Sequence, residues 1–380
     1  MKKIYLDEAA TSKPRAVVLK KIESYMYNNY CNPSAIYSDA KKARKDIDEV
    51  REKVAEFINA KSEEIVFTSG STESNNMVIR GFDDYYRLNI STIITTPIEH
   101  SSILKALENP ALTSNIHLCK VDSNGLIDFD SFKELLESVK GETLLVSVGM
   151  ANNEIGVIQD IKAISELVHK YNAILHVDAT QALPYMKVDV EELGIDLMSA
   201  SAHKLGGLKG TGFLYKRNGI ELMPLIYGEQ EVNMRGGTEN TLGIIALGEA
   251  IKWVKYDTDI QFKRDYMLYR LENWFGCKLN GDYDNRLPNN INVTFPDIAG
   301  ESLLYTLDMA GIMCSTGSAC KGSSSEPSHV LKAIGLTDEE AMRAVRFTLH
   351  KYITFNDIDF VLEEIRKAIE INKMEVMSIE

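Results

Sequence analysis

Cysteine is scarce in this chain of 380 residues, with five in total and none in a C-x-x-C pair. An odd and scattered set of thiols argues against a disulfide framework and against a zinc site, so we predict no metal. Positive charge is also in deficit, because 42 lysines and arginines stand against 55 aspartates and glutamates, for a net charge of -13. Proteins that bind nucleic acid directly normally carry a basic excess, and we therefore expect no such partner.

Long apolar runs are missing as well. No segment approaches the roughly 18 apolar residues that a membrane-spanning helix needs. The N-terminus reaches Asp7 and Glu8 before any stretch long enough for a secretory signal. We therefore expect a cytoplasmic protein with no membrane partner.

Length and composition predict more than one hydrophobic core. Apolar residues make up 44% of the chain, and single cores usually stop growing near about 250–300 residues. From residue 64 to about 215, short β-branched runs alternate with helical stretches, which predicts an α/β fold with a doubly wound, mostly parallel sheet. From about residue 256 the pattern is mixed. We predict a large α/β domain over 15–255 and a smaller α+β domain formed by 1–14 with 256–380.

The strands of the predicted sheet are marked by six runs, which are 64–69, 91–97, 143–150, 173–179, 196–202 and 212–215. In such a sheet, ligands bind beyond the carboxyl ends of the strands. The final helix is indicated by a capping pair, Thr354 and Asp357, followed by apolar residues at helical spacing.

A strand followed at once by a helix is predicted at FTSGSTESNN, residues 67–76. Backbone amides at the start of that helix, with the hydroxyls of Ser71 and Thr72, form a candidate phosphate site. The alternative is an ordinary serine or threonine N-cap, and the local pattern favours neither.

Asp178 and Lys204 each follow a further predicted strand. An aspartate there can keep the pyridine nitrogen of pyridoxal phosphate protonated, although a lone aspartate in a βα loop is more often a helix cap. Lys204 stands at a strand end before two glycines, which suits a lysine that forms a Schiff base, although most lysines are surface charges. A phosphate cradle, a carboxylate and a lysine in this order favour a pyridoxal phosphate site over coincidence.

Further motifs extend along nearly the whole chain, and they are YLDEAATS, CNPS, EIVFTSGSTESNN, EHSSIL, ANNEIGVIQDI, HVDATQ, SAHK, RGGTEN, STGSAC, EPSHVL and VRFTL. The set resembles the class V aminotransferase group of fold-type I pyridoxal phosphate enzymes, and within it the cysteine desulfurases, the NifS- and IscS-like proteins. The resemblance implies a fold-type I enzyme with a large sheet domain and a smaller α+β domain.

The resemblance implies roles for residues around the cofactor. His100 is implied to stack on the cofactor ring and to take part in proton transfer. Asn153 and Gln181 are implied to contact the cofactor, and Ser201 and His203 to belong to its phosphate site. Without the resemblance, His100 would be interpreted as a helix N-terminal histidine and Asn153 as the cap of a turn.

Two further roles concern the second subunit and the substrate. Thr238 matches a phosphate contact that, in the family, comes from the other subunit of a homodimer. Arg346 matches the arginine that pairs with the substrate carboxylate, for which its bidentate fork is suited, and Asn153 is placed with it. An arginine can instead pair with a surface carboxylate.

Cys320 lies in a stretch crowded with serine and glycine, CSTGSACKGSSSEPS. This composition predicts a flexible, exposed loop, which suits a thiol that attacks a bound substrate and then delivers sulfur elsewhere. Together with the SGSAC-like match, it predicts that Cys320 is the sulfur acceptor. Cys314 is expected to be a buried residue at the base of the loop.

The predicted reaction converts L-cysteine to L-alanine, with the sulfur held on Cys320 as a persulfide. The implied partners are a second copy of the chain and a sulfur-acceptor protein, either an iron-sulfur scaffold or a tRNA-thiolation protein. Two alternatives stay open at this point. One is a selenocysteine lyase or another class V enzyme, and the other is a non-catalytic assembly scaffold that retains the fold.

Overall fold

The computed structural model describes residues 3–256, 258–316 and 326–377. The strands in these residues are, in chain order, β1 (Ile4–Tyr5), β2 (Ile65–Thr68), β3 (Ser91–Thr95), β4 (Asn115–Leu118), β5 (Thr143–Gly149), β6 (Ile174–Asp178), β7 (Leu197–Ser201), β8 (Gly212–Lys216), β9 (Lys278–Leu279), β10 (Asn290–Thr294), β11 (Ile312–Met313) and β12 (Ala344–Thr348). All six predicted runs form strands, and the sequence pattern missed the edge strand β4.

The α-helices of the described residues are α1 (Ala16–Asn28), α2 (Ser38–Ile58), α3 (Ser71–Tyr85), α4 (Ser101–Leu107), α5 (Phe129–Ser138), α6 (Ile161–Lys170), α7 (Thr241–Ile251), α8 (Asp259–Phe275), α9 (Gly300–Met309), α10 (His329–Ala333), α11 (Asp338–Met342) and α12 (Phe355–Met377). The predicted capping pair before α12 is confirmed, because the hydroxyl of Thr354 donates to Asp357 Oδ2 at 2.6 Å and the Asp357 amide donates back at 3.1 Å. Among the described helices, none is long and apolar enough to cross a membrane.

The large sheet has seven strands in the order β2-β8-β7-β6-β5-β3-β4. Its pairs are parallel except for the two made by β8, which runs antiparallel to both β2 and β7. The prediction of a doubly wound, mostly parallel sheet is therefore confirmed. Because β2 and β7 run in the same direction, Thr68, Ser201 and Asp178 all lie at one edge, where parallel strands place ligand sites.

Both faces of this sheet are covered by helices. Along each strand, alternate apolar side chains enter two different cores, as period-2 geometry requires. On β8, for example, Phe213 and Tyr215 pack in the core beneath α2, α5, α6 and α7, whereas Leu214 packs with α3 and α4 on the other face. The sheet edge is therefore held between two packed layers.

A separate core lies around a three-stranded antiparallel sheet, ordered β12-β10-β9, and a parallel pair of β1 with β11. This core combines Ile4 and Leu6 with apolar side chains between residues 260 and 368. That grouping supports the predicted union of 1–14 with 256–380, although Leu287 packs into the core of the large sheet. The two domain boundaries stay a prediction.

Candidate active site

The turn between β2 and α3 and the first turn of α3, which begins at Ser71, form a concave site at the sheet edge, called the cradle below. The strand register sets Gly212 beside both Thr68 and Ser201. A Cβ on Gly212 would lie 2.6 Å from the Cα of Gly70, so glycine is needed there for the strand to pass behind the cradle. Gly70 is itself in a conformation with φ near 150°, which side chains rarely adopt. Two glycines thus shape this turn.

Polar groups converge inside the cradle. Ser201 Oγ accepts from the Ser71 amide at 2.7 Å and donates to Ser71 Oγ at 3.0 Å. Within the described residues, no hydrogen bond is made by the amides of Thr72 and Glu73, which stand in the first turn of α3. The N-cap is Gly70, not a serine or threonine, so the N-cap interpretation of these hydroxyls is wrong. The arrangement suits an anion, because amides and hydroxyls point to one place at a helix N-terminus.

Asp178 lies at the end of β6 and is only 9% exposed. Its Oδ1 accepts from the Thr180 amide at 3.0 Å, and its Oδ2 accepts from Asn75 Nδ2 at 2.8 Å. No helix follows β6 directly, since the next element is β7, so the helix-cap interpretation of Asp178 is wrong. A buried carboxylate with fixed oxygens is instead presented at the sheet edge.

A chain of hydrogen bonds links Asp178 to His100. Asn75 Nδ2 also donates to Ser102 Oγ at 2.8 Å, and this hydroxyl lies 2.8 Å from His100 Nδ1. The Ser102 amide donates to the same ring nitrogen at 3.1 Å, so Nδ1 is the acceptor and the neutral ring carries its proton on Nε2. His100 is thus the N-cap of α4, as the local interpretation predicted, and its ring is held at the site.

Burial lowers the pKa of His100, and the charges of Lys204 and His329 lower it further, while Asp178 opposes them. The imidazole is therefore neutral near pH 7 and can accept or donate one proton. His329, at the start of α10, bonds through Nε2 to the backbone oxygen of Glu99 at 3.0 Å. The start of α10 thereby contacts the segment that leads into α4.

Two further buried groups lie behind Asp178. Burial raises the pKa of Glu99 to about 8, and the charge of Asp178 also raises it. A hydrogen bond from Thr96 acts in the opposite direction. His176, on β6, lies 2.8 Å from Ser147 Oγ and 2.9 Å from Ser199 Oγ. Burial lowers its pKa to about 4. Both side chains are therefore neutral near pH 7.

Lys204 follows β7 in a single 3-10 turn, and its side chain is half-buried. Its amine donates to the backbone oxygens of Ala9 and Ala10, the latter at 2.7 Å. Lys204 and His203 line a cavity of about 1500 Å³, whose lining includes neither Asp178 nor His100. Lys204 therefore lies just after the end of β7, with its side chain half-buried.

The N-terminal segment connects several predicted site residues. Gln181 Nε2 donates to the backbone oxygen of Ala9 at 2.9 Å, and His203 Nδ1 lies 3.1 Å from Thr11 Oγ1. Burial and the neighbouring charges of Lys204 and Lys209 lower the pKa of His203 to about 4. These contacts hold the segment across the edge of the large sheet.

Arg346 on β12 reaches the same region from the smaller sheet. Its side chain is almost fully buried, donating from Nη2 to Asp7 Oδ1 at 2.6 Å and from Nη1 to the backbone oxygen of Asn153 at 2.9 Å. The alternative prediction, that Arg346 pairs with a surface carboxylate, is wrong, because its partner Asp7 is itself half-buried. Its Nε is buried without a partner among the described residues.

The predicted acceptor Cys320 lies outside the described residues, whose flanking segments end at 316 and resume at 326. Both flanks are anchored near the site. Ser315 pairs with Arg346 through two backbone bonds of 3.1 and 2.7 Å, and Ser328 Oγ donates to Glu154 Oε2. Cys314 is half-buried, not fully buried as expected, and desolvation raises its pKa to about 12.

Thr238 is exposed on the loop before α7. Three residues earlier, Arg235 Nε donates to Glu73 Oε1 at 2.9 Å, which ties this loop to the first turn of α3. Thr72 is also exposed on that turn. Thr238 therefore lies on a surface near the cradle rather than inside it.

Sequence reasoning missed the residues that connect the predicted ones. Asn75 joins Asp178 to Ser102, and Glu99 lies behind both. One signal was available, because Asn75 follows Ser71 by four residues and so lies on the same face of α3. The position of Glu99 depends on its close approach to β5, because a Cβ atom on Gly149 would lie 3.0 Å from Glu99 Oε2. No local sequence pattern predicts that approach.

Comparisons with known proteins identify the family of the chain. The Aminotransferase class-V family model matches residues 4–361. A protein of Dictyoglomus turgidum named cysteine desulfurase IscS is 42% identical over 379 residues, covering 97% of this chain and 95% of the relative. Cysteine desulfurase IscS 1 of Archaeoglobus fulgidus is 40% identical and covers 96% of this chain and 97% of its own.

Solved structures give the same result. A NifS-like protein superimposes with a TM-score of 0.90 at 32% identity, covering 97% of this chain and all of its own. A structure titled SspA in complex with cysteine has a TM-score of 0.82 at 32% identity, covering 93% of this chain and all of its own. The chain therefore belongs to the class V aminotransferase family and, within it, to the cysteine desulfurases.

Proposed function

We propose that this enzyme binds pyridoxal phosphate through Lys204 and moves the sulfur of L-cysteine to Cys320, with release of L-alanine. The observation that carries the proposal is the convergence of an anion cradle, a buried carboxylate and a half-buried lysine at one sheet edge. The reaction balances without an oxidant. The substrate C–S bond breaks, its Cβ gains a proton, and the Cys320 thiol becomes a persulfide.

The residues present fit the proposed cofactor. A phosphate matches the cradle, because Ser71 and Ser201 supply hydroxyls and Thr72 supplies an amide that bonds to no other described residue. Buried polar atoms without partners also lie here, since Thr180 Oγ1 and Asn75 Oδ1 have none among the described residues. A polar ligand at this edge would satisfy such atoms.

When bound, pyridoxal phosphate supplies an aldehyde that bonds to amines and a ring that withdraws electrons from the substrate Cα. Asp178 would hold the proton on the ring nitrogen, because its carboxylate is fixed by Asn75 and Thr180. Asn153 and Gln181 would also contact the cofactor. Fixing the carboxylate in advance avoids reorganisation when charge develops.

His100 would move a proton at its Nε2. The Ser102 amide and hydroxyl occupy Nδ1, so the second nitrogen is the one left for the ligand. Because burial lowers the pKa of His100, the ring is a neutral acid or base near pH 7. His100 would also cover the face of the bound cofactor.

Arg346 would pair with the carboxylate of L-cysteine. Its Nε has no partner among the described residues, and its Nη1 and Nη2 are held by Asn153 and Asp7. The guanidinium is thus oriented before substrate arrives, and a substrate carboxylate would supply the missing acceptor.

Cys320 is separated from this site by a short stretch of sequence. It follows Ser315 by five residues, which limits their separation to about 18 Å at full extension. Ser315 pairs with the backbone of Arg346, the proposed carboxylate-binding residue. The thiol can therefore approach a substrate bound beside Arg346 and then carry sulfur outward to an acceptor protein, either an iron-sulfur scaffold or a tRNA-thiolation protein.

The active unit is proposed to be a homodimer in which Thr238 completes the partner's phosphate site. Support comes from the exposure of Thr238 and from apolar side chains left exposed along α1, including Met26 at 56% and Tyr27 at 81%. Large exposed apolar patches usually mark an interface. Mixing Lys204→Ala chains with Thr238→Ala chains should create one intact site per hybrid dimer and restore activity, and no recovery on mixing would contradict the shared site.

The function is tested by replacing single residues in the full chain. Cys320→Ala should retain the visible absorbance of the cofactor but release no sulfide from L-cysteine in the presence of a thiol. Cys314→Ala is the matched control and should retain sulfide release, because desolvation keeps that thiol protonated. Lys204→Ala should lose both absorbance and alanine formation. Full sulfide release by Cys320→Ala would overturn the role of Cys320.

A further inference from the structure

Thr238 lies at the surface, but the chain just before it is anchored. Three residues earlier, Arg235 Nε donates to Glu73 Oε1 at 2.9 Å, on the first turn of α3. One residue earlier, the Gly237 amide donates to Gln230 Oε1 at 2.9 Å. Exposed loop segments are usually mobile, whereas this one is bonded to a helix and to itself.

The chain just after Thr238 is anchored as well. The side chain of Glu239 turns back into the protein, where it is 2% exposed and accepts a hydrogen bond from Arg44 Nη2 on α2. The next residue, Asn240, donates from Nδ2 to Thr211 Oγ1 at 3.0 Å. Thr238 is therefore an exposed side chain on a backbone that is fixed on both sides.

The ion pair of Arg44 with Glu239 fixes the direction in which Thr238 faces. Within the described ranges, Glu239 Oε2 has no hydrogen-bond partner, and Arg44 is the group that bonds to Oε1. Removing the cation from a buried carboxylate is costly, because the charge is then left unpaired. Glu239 is thus held inward by Arg44, and its neighbour Thr238 is left facing outward.

A second ion pair on α2 holds the other end of this loop, which spans residues 231–239. Arg51 follows Arg44 by seven residues, or about two helical turns, so both side chains lie on one face of α2. Arg51 donates from Nη1 and Nη2 to the Glu231 carboxylate at 2.7 and 2.9 Å. Glu231 also accepts from the Phe67 amide at 2.8 Å. The 231–239 loop is therefore bound at both ends to one helix.

We infer that the pair of Glu239 and Arg44 positions Thr238 for the phosphate site of the partner subunit, so that both residues act in trans. The inference rests on the proposed function, in which Thr238 completes that site. Binding through a residue that is already fixed costs less conformational entropy than binding through a mobile loop. Glu239 and Arg44 are then positioning residues, because they act through Thr238.

The test separates an effect on a chain's own site from an effect on its partner's site. Hybrid dimers are prepared from two differently tagged full-length chains, one of which carries Lys204→Ala, so each hybrid has a single site with its lysine. In the trans arrangement, Arg44→Ala lies on the Lys204→Ala chain, and the site that retains Lys204 receives the altered loop. In the cis arrangement, Arg44→Ala lies on the chain that retains Lys204, and that site receives an unaltered loop.

The readout is the dissociation constant of pyridoxal phosphate. The cofactor is removed from each hybrid and titrated back, and the visible absorbance that depends on Lys204 is followed. In the trans arrangement the dissociation constant should rise about tenfold or more, because a hydrogen bond to a charged phosphate is lost. In the cis arrangement it should equal that of a hybrid without the loop substitution. A merely structural role would give the reverse pattern, because it would weaken the altered chain's own site.

Three variants sharpen the result. Arg44→Lys keeps a cation and should restore most of the affinity in the trans arrangement. Glu239→Ala removes the same pair from the loop side and should reproduce the trans defect, so it decides the question if Arg44→Ala does not fold. Lys45→Ala is the matched control, because it removes the neighbouring cation of α2, which is exposed and lies 3.9 Å from Glu49. It should leave both arrangements unchanged. A defect in the cis arrangement, an equal defect in both, or no defect in either would overturn the positioning pair.

Thr238→Ala in the same two arrangements isolates the proposed function. It should weaken cofactor binding in the trans arrangement only. No trans defect for Thr238→Ala, or no recovery of hybrid dimers, would overturn the shared site and the positioning pair with it. A trans defect for Thr238→Ala without one for Arg44→Ala would overturn the pair alone. The two failures are thus distinguishable.

Discussion

Glu99 is buried at 5% exposure behind the site, and replacing it with glutamine should change how stability depends on pH. Burial raises the pKa of Glu99 from 4.5 to about 8 in the folded chain. The folded state then keeps a proton that the unfolded state releases, so the contribution of Glu99 is complete below pH 4.5 and is lost as pH rises toward 8. Glutamine has nearly the same shape as glutamate but does not ionise.

The size of the effect follows from the interval between the pKa values of Glu99 in the unfolded and folded chain. Each pH unit between the two pKa values costs about 1.4 kcal/mol. From pH 5 to pH 8 the wild-type chain should therefore lose about 4 kcal/mol relative to Glu99→Gln. For 380 residues this corresponds to a shift of roughly 5 °C in the thermal midpoint. Thr96 can accommodate the amide, because its hydroxyl can accept as well as donate.

The assay compares thermal midpoints of the wild-type chain and Glu99→Gln at several pH values, by circular dichroism. The difference between them should grow by roughly 5 °C from pH 5 to pH 8 in favour of the variant. Glu108→Gln, which removes an exposed carboxyl at the end of α4, the helix that follows Glu99, is the matched control and should show a flat difference. A flat difference for Glu99→Gln would refute the assignment of a buried, protonated carboxyl.

Three further substitutions test the frame of the site. Gly212→Ala places a Cβ 2.6 Å from the Cα of Gly70, which should cost about 1–3 kcal/mol in thermal stability and weaken cofactor retention measured by absorbance. Asn75→Ala removes a hydrogen bond from the buried Asp178 carboxylate. The free energy of unfolding should fall by about 2–3 kcal/mol, measured as a lower thermal midpoint. Glu231→Ala removes a buried carboxylate and leaves the half-buried Arg51 without its bidentate acceptor, with an expected cost of about 3–5 kcal/mol in chemical unfolding. A midpoint unchanged in any of the three would contradict the contact it tests.

The strands of the large sheet could be predicted because their signals are local. Residues 64–69 and 212–215 are apolar runs between turn residues, and each forms a strand that is buried on both faces. The helix after Thr354 was predicted from its capping pair for the same reason. By contrast, β4 was missed because it has only four residues, Asn115–Leu118, and they are mostly exposed.

The candidate site was predictable only in part. Ser71, Asp178 and Lys204 each follow a strand, so their convergence at one sheet edge could be inferred from chain order. Their partners could not, because Asn75 joins Asp178 across 103 residues.

The sequence by itself determined the family, the alternation of strands and helices, and the identity of the reactive groups, because motifs and apolar periodicity are properties of short segments. Only the tertiary structure decided which neutral and charged groups surround them. The burial that raises the pKa of Glu99 and lowers that of His100 comes from packing between distant elements. Desolvation and hydrogen bonding depend on distance in space, and a linear chain does not specify those distances until it folds.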